Sequence, residues 1–305
     1  EDPKFARAWA ALAEAYMQMP TYADVDLEEH WIKAETNALR SISIDSNLAD
    51  GHAILGATYM QQRKYVQMQK SLDRALELDP RNVEILHYYG LALLQVGRLR
   101  EGQTYFERVV ELDPKFPYGL NGLAYFHIMQ DNVDKGESLA RQALMLGFLP
   151  ANWLLGEAAA VRGEPERAQR LIGPIFKLGV ITEFSGEEID ALIAGSLSND
   201  QLKRDEALSI IDQHLNNGEP LKEGLIPYFL VRLGEPEKAF EIFKEISSPW
   251  NEISLGNIWS PYGKEARQHP AFKDFARDIG LVDYWDSYGW VDHCQRISET
   301  DFACT

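Results

Sequence analysis

The strongest constraint in this sequence is a tripeptide that recurs after 34 residues: Leu78-Asp79-Pro80 returns as Leu112-Asp113-Pro114. Each unit contains two apolar stripes with spacings of three and four residues, which predict two amphipathic helices per unit. Repeats of this length are typical of stacked helix pairs, in which each pair buries its apolar face against its neighbours. The sequence therefore predicts an all-α solenoid.

Successive units carry matching residues at matching places. The dipeptides Leu55-Gly56 and Tyr89-Gly90 occupy equivalent positions in the first helices of their units. A small residue begins most second helices: Ala34, Gly102, Gly136, Ala168, Ala207 and Ala239. This pattern resembles the tetratricopeptide repeat family. The resemblance implies a right-handed superhelix of helix hairpins, with the first helix of each unit on the concave face.

The pattern divides the chain into an array and a closing segment. Residues 1–248 are predicted to form about seven helix pairs, regular to about residue 172 and degenerate after it. Residues 249–305 hold four of the seven tryptophans: Trp250, Trp259, Trp285 and Trp290. A solenoid needs an atypical last unit to cover its final apolar face. We therefore expect 249–305 to be a Trp-rich cap.

A partner is expected on the concave face, because polar and aromatic side chains there lie outside the contacts between helices. The repeat phase places on it His87, Leu91, Gln95, Tyr118, Asn121, Tyr125, Met129, Trp153 and Glu157. Aromatic residues often anchor interfaces, and methionine adapts to irregular surfaces. The prediction is a protein or peptide partner in this groove. For Tyr125 and Trp153 the alternative is packing between repeats.

Charge and hydropathy argue against nucleic acids and against a membrane-embedded segment. The formal net charge is −17, and no basic stripe suited to phosphate contacts occurs, so nucleic-acid binding by this segment is not expected. The acidity indicates either a solubilising surface or attraction of a basic partner. No apolar run approaches the ~18 residues of a membrane span, so membrane attachment is expected only through an anchor upstream.

Motifs that carry chemistry are missing from the sequence. The seven histidines form no metal-binding pair, and neither a nucleophile elbow nor a phosphate-binding loop can be read. We therefore predict a non-enzyme with no catalytic residue, metal or cofactor. The alternative is an enzyme or small-molecule binder with a pocket at the junction of repeats and cap, lined by Trp259, Tyr262, Tyr284 and Trp285.

The chain end carries a second resemblance. The stretch Gly280–Trp285 and the closing 292–294 and 302–304 segments are similar to the ends of bacterial tetratricopeptide proteins fused, across a membrane helix, to a winged-helix transcription activator or a nucleotide cyclase. This implies the sensory or assembly part of a transmembrane regulator, on the periplasmic side. The alternatives are a cytoplasmic adaptor and a homo-oligomerisation scaffold. The opening residues 2–5 match 113–116 in sequence, so we expect further repeat sequence upstream.

The two cysteines, Cys294 and Cys304, fit that compartment if they are joined. A disulfide closing so short a loop would stabilise the chain end by roughly 2–3 kcal/mol, and disulfides belong to oxidising compartments. Two reduced thiols are the alternative. A metal site with His293 is disfavoured, because no further cysteine or histidine pair lies nearby to complete a tetrahedral set.

Overall fold

A computed structural model of the chain describes residues 5–23, 25–177, 184–217, 225–245 and 251–305. These residues form eighteen α-helices and one two-stranded hairpin, so the predicted all-α class is confirmed. The elements are α1 (Ala6–Gln18), α2 (Leu27–Ile44), α3 (Ala49–Gln61), α4 (Tyr65–Leu78), α5 (Val83–Gln95), α6 (Leu99–Leu112), α7 (Pro117–Met129), α8 (Val133–Met145), α9 (Ala151–Val161), α10 (Pro165–Lys177), α11 (Gly186–Ser196), α12 (Gln201–Asn216), α13 (Ile226–Arg232), α14 (Pro236–Glu245), α15 (Asn251–Trp259), α16 (Lys264–Gln268), α17 (Ala271–Asp278), α18 (Leu281–Tyr288), β1 (Cys294–Arg296) and β2 (Phe302–Cys304).

Several helices begin at a side chain that accepts from an otherwise unpaired backbone amide. The Glu29 amide donates to Asp26 Oδ1 at 2.8 Å, which starts α2. At α11, the Glu188 amide donates to Ser185 Oγ, and the Ser185 amide donates back to Glu188 Oε2 at 2.7 Å. Each such cap contributes about 1 kcal/mol, because the first amides of a helix lack partners within it.

The helices associate in consecutive pairs, α1–α2, α3–α4, α5–α6, α7–α8, α9–α10, α11–α12 and α13–α14. Short turns join the partners of most pairs, and Gly97 (φ 85°) and Gly163 (φ 73°) adopt the left-handed conformation in two of them. Glycine takes this conformation without the steric cost that a Cβ atom brings. The connection between α1 and α2 is longer and contains a 3-10 helix over Met19–Thr21. The predicted helix–turn–helix unit thus accounts for the described chain from α1 to α14.

Gly90 shows why the repeat keeps a small residue in its first helix. A Cβ built on Gly90 would lie 2.3 Å from Cε2 of Phe106 on α6, and Phe106 is fully buried. The two helices of this pair therefore approach more closely than any side chain on Gly90 would allow.

We expect Gly90→Ala to lower the free energy of unfolding by about 1–3 kcal/mol, because overpacking a tight core costs that much. The matched control is Gly186→Ala in the first turn of α11, where the added Cβ would meet only the flexible Lys177 side chain at 3.6 Å. That control should stay within about 0.5 kcal/mol of the parent. Urea denaturation measures both, and equal effects would contradict the close approach.

The chain separates into two compact units, which are described individually. The first comprises Glu1–Asp113 and Ala276–Phe302, and the second comprises Pro114–Phe275 with Ala303–Thr305. Residues of the closing segment belong to both units, and the division between an array and a cap stays a prediction. The predicted boundary at residue 248, like Trp250, lies outside the described residues.

In the first unit, α18 packs against α4 rather than over a last repeat. The Tyr284 hydroxyl donates to Gln69 Oε1 at 2.8 Å, and Trp285 Nε1 donates to the Val96 carbonyl oxygen at 2.9 Å. Both aromatic side chains are fully buried, and burial raises the pKa of Tyr284 to about 12. Tyr284 and Trp285 are thus part of the core of the first unit.

In the second unit, α13 is buried along its entire length. Its Tyr228 and Phe229 rings contact Phe176 of α10 edge to face, with centroids 5.6 and 5.9 Å apart. Further on, Phe240 of α14 stacks on Phe275 at 4.6 Å. A helix whose faces are nearly all apolar is normally buried in the protein interior, and α13 is buried in this way.

The C-terminal hairpin pairs β1 with β2, and both cysteines of the chain are disulfide-bonded. Since the sequence contains only Cys294 and Cys304, the bond joins these two. None of the helices in the described ranges combines the length and the apolar character of a membrane span.

Candidate functional site

The predicted groove residues of α7 and α9 differ strongly in exposure. Along α7, Tyr118 is 46% exposed, Asn121 is half-buried, and Tyr125 and Met129 are buried. On α9, Trp153 is half-buried whereas Glu157 is 1% exposed. The structure therefore separates an accessible group at the start of α7 from a covered group deeper in the second unit. The two groups differ in what they can bind.

The accessible group is an aromatic and aliphatic surface around Tyr118, named here the Tyr118 patch. The Tyr118 ring contacts Phe116 at 5.5 Å and Phe148 at 4.7 Å between centroids. We include in the patch three exposed side chains that lie within three residues of Phe148 in the sequence: Met145, Leu146 and Leu149, which are 78, 45 and 56% exposed. An exposed cluster of large apolar side chains is a common mark of an interaction surface.

The covered group lies beneath later helices of the second unit. The Tyr125 ring stacks on Trp153 with centroids 5.9 Å apart. A Cβ built on Gly256 of α15 would lie 2.6 Å from the Tyr125 hydroxyl oxygen, so α15 sits directly against this ring. Burial and the nearby Glu157 carboxylate raise the pKa of Tyr125 well above its ordinary value. The prediction that Tyr125, Met129 and Glu157 line an open groove is therefore corrected.

Glu157 is the centre of a buried polar cluster. The Tyr228 hydroxyl donates to Glu157 Oε1 at 2.6 Å, and the Arg232 guanidinium pairs with the other carboxylate oxygen. Arg232 lies between two rings, 4.6 Å from the centroid of Tyr228 and 4.2 Å from that of Tyr262. Burial acts to lower the pKa of Arg232, but the Glu157 charge and hydrogen bond, together with the two tyrosine side chains, raise that pKa above its ordinary value.

Sequence reasoning missed Arg232. A signal was present, because Arg232 is the single charged residue in α13, whose other six residues are Ile226–Val231. A lone charge in a helix that is otherwise apolar requires a buried partner. The sequence does not reveal that this partner is Glu157, which lies 75 positions earlier.

The three predicted groove residues of α5 belong to the first unit. His87 and Leu91 are half-buried, whereas Gln95 is 1% exposed, so the expectation that Gln95 lines an open groove is corrected. The His87 ring contacts Phe106 edge to face at 5.5 Å. Burial lowers the pKa of His87 to about 4, which leaves this ring uncharged at neutral pH.

Acidic side chains from α1, α3 and α5 lie near one another in the first unit. Burial raises the pKa of Glu14, and the charges of Glu84 and Asp50 raise it further. Gln18 Nε2 donates to Glu14 Oε1 at 3.0 Å. The negative formal charge of the chain is thus partly concentrated on the first helices of consecutive pairs.

Among the residues that the structure describes, no group of three or more histidine, cysteine, aspartate and glutamate side chains is placed to hold a metal ion. The residues proposed for an alternative aromatic pocket fall in different units: Trp259 and Tyr262 in the second, Tyr284 and Trp285 in the first.

Comparison with known families identifies the repeats. Three tetratricopeptide-repeat models match residues 49–82, 71–104 and 89–150, which include α3–α8. The chain carries tetratricopeptide repeats. Its predicted family resemblance is confirmed, and the tetratricopeptide fold is one that serves protein–protein interaction.

Three solved structures share this tetratricopeptide fold. PilF of Pseudomonas aeruginosa has a TM-score of 0.50 at 19% identity, covering 70% of this chain and 93% of PilF. PilW, a type IV pilus biogenesis factor, has a TM-score of 0.53 at 17% identity with the same coverage. A tetratricopeptide protein of Parabacteroides merdae has a TM-score of 0.50 at 16% identity, covering 91% of this chain and 99% of that one. At these identities the likeness concerns the fold alone.

Curated relatives are similar over most of the tetratricopeptide chain. The transcriptional regulators HilA of Salmonella typhimurium and of Salmonella typhi are each 27% identical to it over 262 residues. The matched region is 81% of this chain and 45% of each relative. The chain therefore spans less than half the length of the curated relatives it matches.

Proposed function

We propose that this chain is a non-catalytic module that binds a basic, amphipathic segment of a partner protein. The observation that carries the proposal is the Tyr118 patch, whose large apolar side chains are exposed on a fold that serves protein association. Tyrosine and methionine are enriched at interface cores. Asn121 and Trp153 of the same unit remain candidate contacts, since each is partly accessible. His87 and Leu91 belong to the first unit and stay predicted contacts there.

The chemistry of the partner follows from charge. A net charge of −17 attracts cations over a Debye length of about 8 Å or more and speeds their association. A partner segment that is basic on one face and apolar on the other would complement both this charge and the Tyr118 patch.

Tyr118→Ala should raise the dissociation constant of a synthetic leucine–lysine amphipathic peptide by about tenfold or more, because truncating an aromatic anchor costs at least ~1–2 kcal/mol. Fluorescence anisotropy of the labelled peptide measures the change. The matched control is Leu202→Ala, which removes a 79% exposed side chain on α12 and should bind as the parent does. Unchanged binding by the Tyr118 variant would remove the patch from the proposal.

We propose further that the module belongs to a bacterial transcriptional regulator anchored in a membrane, and that it lies on the periplasmic side. The similarity to HilA supports the regulatory role, and the disulfide-bonded cysteines support an oxidising compartment. Alkylation of the full-length protein in intact cells tests the compartment. The proposal predicts no maleimide labelling of Cys294 or Cys304 before reduction, whereas labelling of both thiols in unreduced protein would exclude it and favour a cytoplasmic adaptor.

A further inference from the structure

Several polar atoms beside the Glu157–Arg232 pair have no hydrogen-bond partner among the residues that the structure describes. They are the hydroxyl oxygens of Tyr125 and Tyr262 and the Nε and Nη1 nitrogens of Arg232. Tyr125 is 6% exposed and Arg232 is 8% exposed. Buried donors are nearly always paired, because a donor that leaves water without a new partner destabilises the fold. These donors, named here the Arg232 site, are therefore available to a bound molecule.

The Arg232 site brings together three elements of the second unit. Tyr125 lies on α7, Arg232 lies on α13, and Tyr262 lies in a 3-10 helix over Pro261–Gly263. The Arg232 guanidinium is 4.2 Å from the centroid of the Tyr262 ring. The charges of Arg232 and of its partner Glu157 both act on the pKa of Tyr125. The Tyr125 hydroxyl therefore lies near the same ion pair.

The side-chain charges around the Tyr125 hydroxyl carry a positive excess. Burial raises the pKa of Tyr125, the Glu157 charge raises it further, and the charges of Arg232 and Arg267 oppose this rise. Arg267 of α16 is buried and donates to the main-chain oxygen of Ser260 at 2.9 Å. Two guanidinium groups thus accompany one side-chain carboxylate. Buried charge is tolerated where an opposite charge lies beside it, so this excess favours a negative ligand.

The free groups and the space beside them define the class of ligand. Guanidinium and phenol groups donate hydrogen bonds, and bonds from such donors to a charged acceptor are the strong ones. A Cβ built on Gly256 would lie 2.6 Å from the Tyr125 hydroxyl oxygen, so little room exists for a bulky molecule. Trp153, whose ring stacks on Tyr125, and Tyr262 are only half-buried. The site therefore borders on solvent and suits an anion of few atoms.

We propose that the Arg232 site binds one small monovalent anion, chloride or a small carboxylate, between the Arg232 guanidinium and the hydroxyl groups of Tyr125 and Tyr262. The anion would add the missing negative charge and accept from donors that otherwise have no partner. The proposal is independent of the function proposed for the Tyr118 patch, because it concerns other residues and its test uses no peptide.

Thermal unfolding of the 305-residue chain in sodium chloride, formate or acetate tests the proposal, with sodium gluconate holding the ionic strength constant. We expect the midpoint to rise with the concentration of a small anion, because a ligand that binds only the folded chain stabilises it. Tyr125→Phe and Tyr262→Phe should each raise the dissociation constant of the anion by about tenfold, since each removes a hydrogen bond to a charged group. A response to chloride alone, or to the two carboxylates alone, would support the site and identify its ligand.

Two further tyrosine variants are the matched controls. Tyr65→Phe removes a buried hydroxyl of the first unit that likewise has no partner among the described residues, and it should respond to the anion as the parent does. Tyr228→Phe removes the hydrogen bond to Glu157 Oε1 and should lower the midpoint in every salt. In gluconate alone, Tyr125→Phe should be at least as stable as the parent, because its hydroxyl has no protein partner to lose.

Three results would overturn the proposal. Equal midpoints in gluconate and in all three small-anion salts would show that the Arg232 site holds water only. An anion response that persists undiminished in Tyr125→Phe and Tyr262→Phe would place the anion elsewhere. A loss of stability in gluconate as large for Tyr125→Phe as for Tyr228→Phe would show that the Tyr125 hydroxyl is already paired within the protein.

Discussion

Replacing Glu157 with alanine is expected to lower the free energy of unfolding by about 3–5 kcal/mol, the usual cost of leaving one partner of a buried ion pair without its counter-charge. The side chains of Glu157 and Arg232 are each 1% exposed. Removal of the carboxylate therefore leaves a guanidinium in a site with little access to water. Guanidinium denaturation followed by circular dichroism measures the loss.

Two further variants show whether burial causes this effect. Glu77→Ala breaks the exposed ion pair between Glu77 and Arg74, in which the two side chains are 66 and 43% exposed, respectively. This variant should lower the free energy of unfolding by less than about 1 kcal/mol. The double replacement Glu157→Leu with Arg232→Met should recover most of the loss, because a buried pair can be exchanged for apolar side chains of similar volume. Equal losses in Glu157→Ala and Glu77→Ala would contradict a buried pair.

Replacing Trp285 with alanine should also cost about 3–5 kcal/mol, as the removal of a fully buried large side chain usually does. The indole is 0% exposed and contacts Trp290 at 5.3 Å and Phe302 at 5.6 Å between centroids. Its loss leaves a cavity and removes the hydrogen bond to the Val96 carbonyl oxygen. The measurement is the shift of the urea midpoint at constant slope.

The neighbouring Trp290 is the matched control, because it is only half-buried in the same segment. Trp290→Ala should lose clearly less stability than Trp285→Ala. If both variants lose less than about 1 kcal/mol, α18 does not belong to the core of the first unit, and the closing segment is a loosely attached tail.

The sequence was sufficient to predict the repeated unit, because a 34-residue period needs only local information. Gly56 and Gly90 mark the close approach within a pair, and the Asp-Pro steps mark where second helices end. Each unit contacts mainly its neighbours, so reading one unit correctly gives the fold of the next. The all-α solenoid class follows from that periodicity, and the tetratricopeptide family follows from the resemblance of the repeated residues.

The sequence was insufficient wherever distant segments meet. Repeat phase correctly places Tyr125 and Glu157 on first helices, but it does not show that α13 and α15 cover them, since Arg232 and Gly256 lie far along the chain. The same limit applies to Trp285, which hydrogen-bonds a residue 189 positions earlier. Periodicity predicts which face of a helix a residue occupies, whereas the exposure of that residue depends on which later segments pack against the face.

The proposed binding surface depends on a division between an accessible Tyr118 patch and a covered Tyr125 group. Hydroxyl-radical footprinting with mass spectrometry tests this division on the unmodified chain. Tyr118 and Met145, at 46 and 78% exposure, should oxidise rapidly in native protein. Tyr125 and Met129, at 6 and 7%, should stay protected until the second unit unfolds. Oxidation of Tyr125 and Met129 at the rate of Tyr118 and Met145 would contradict this division.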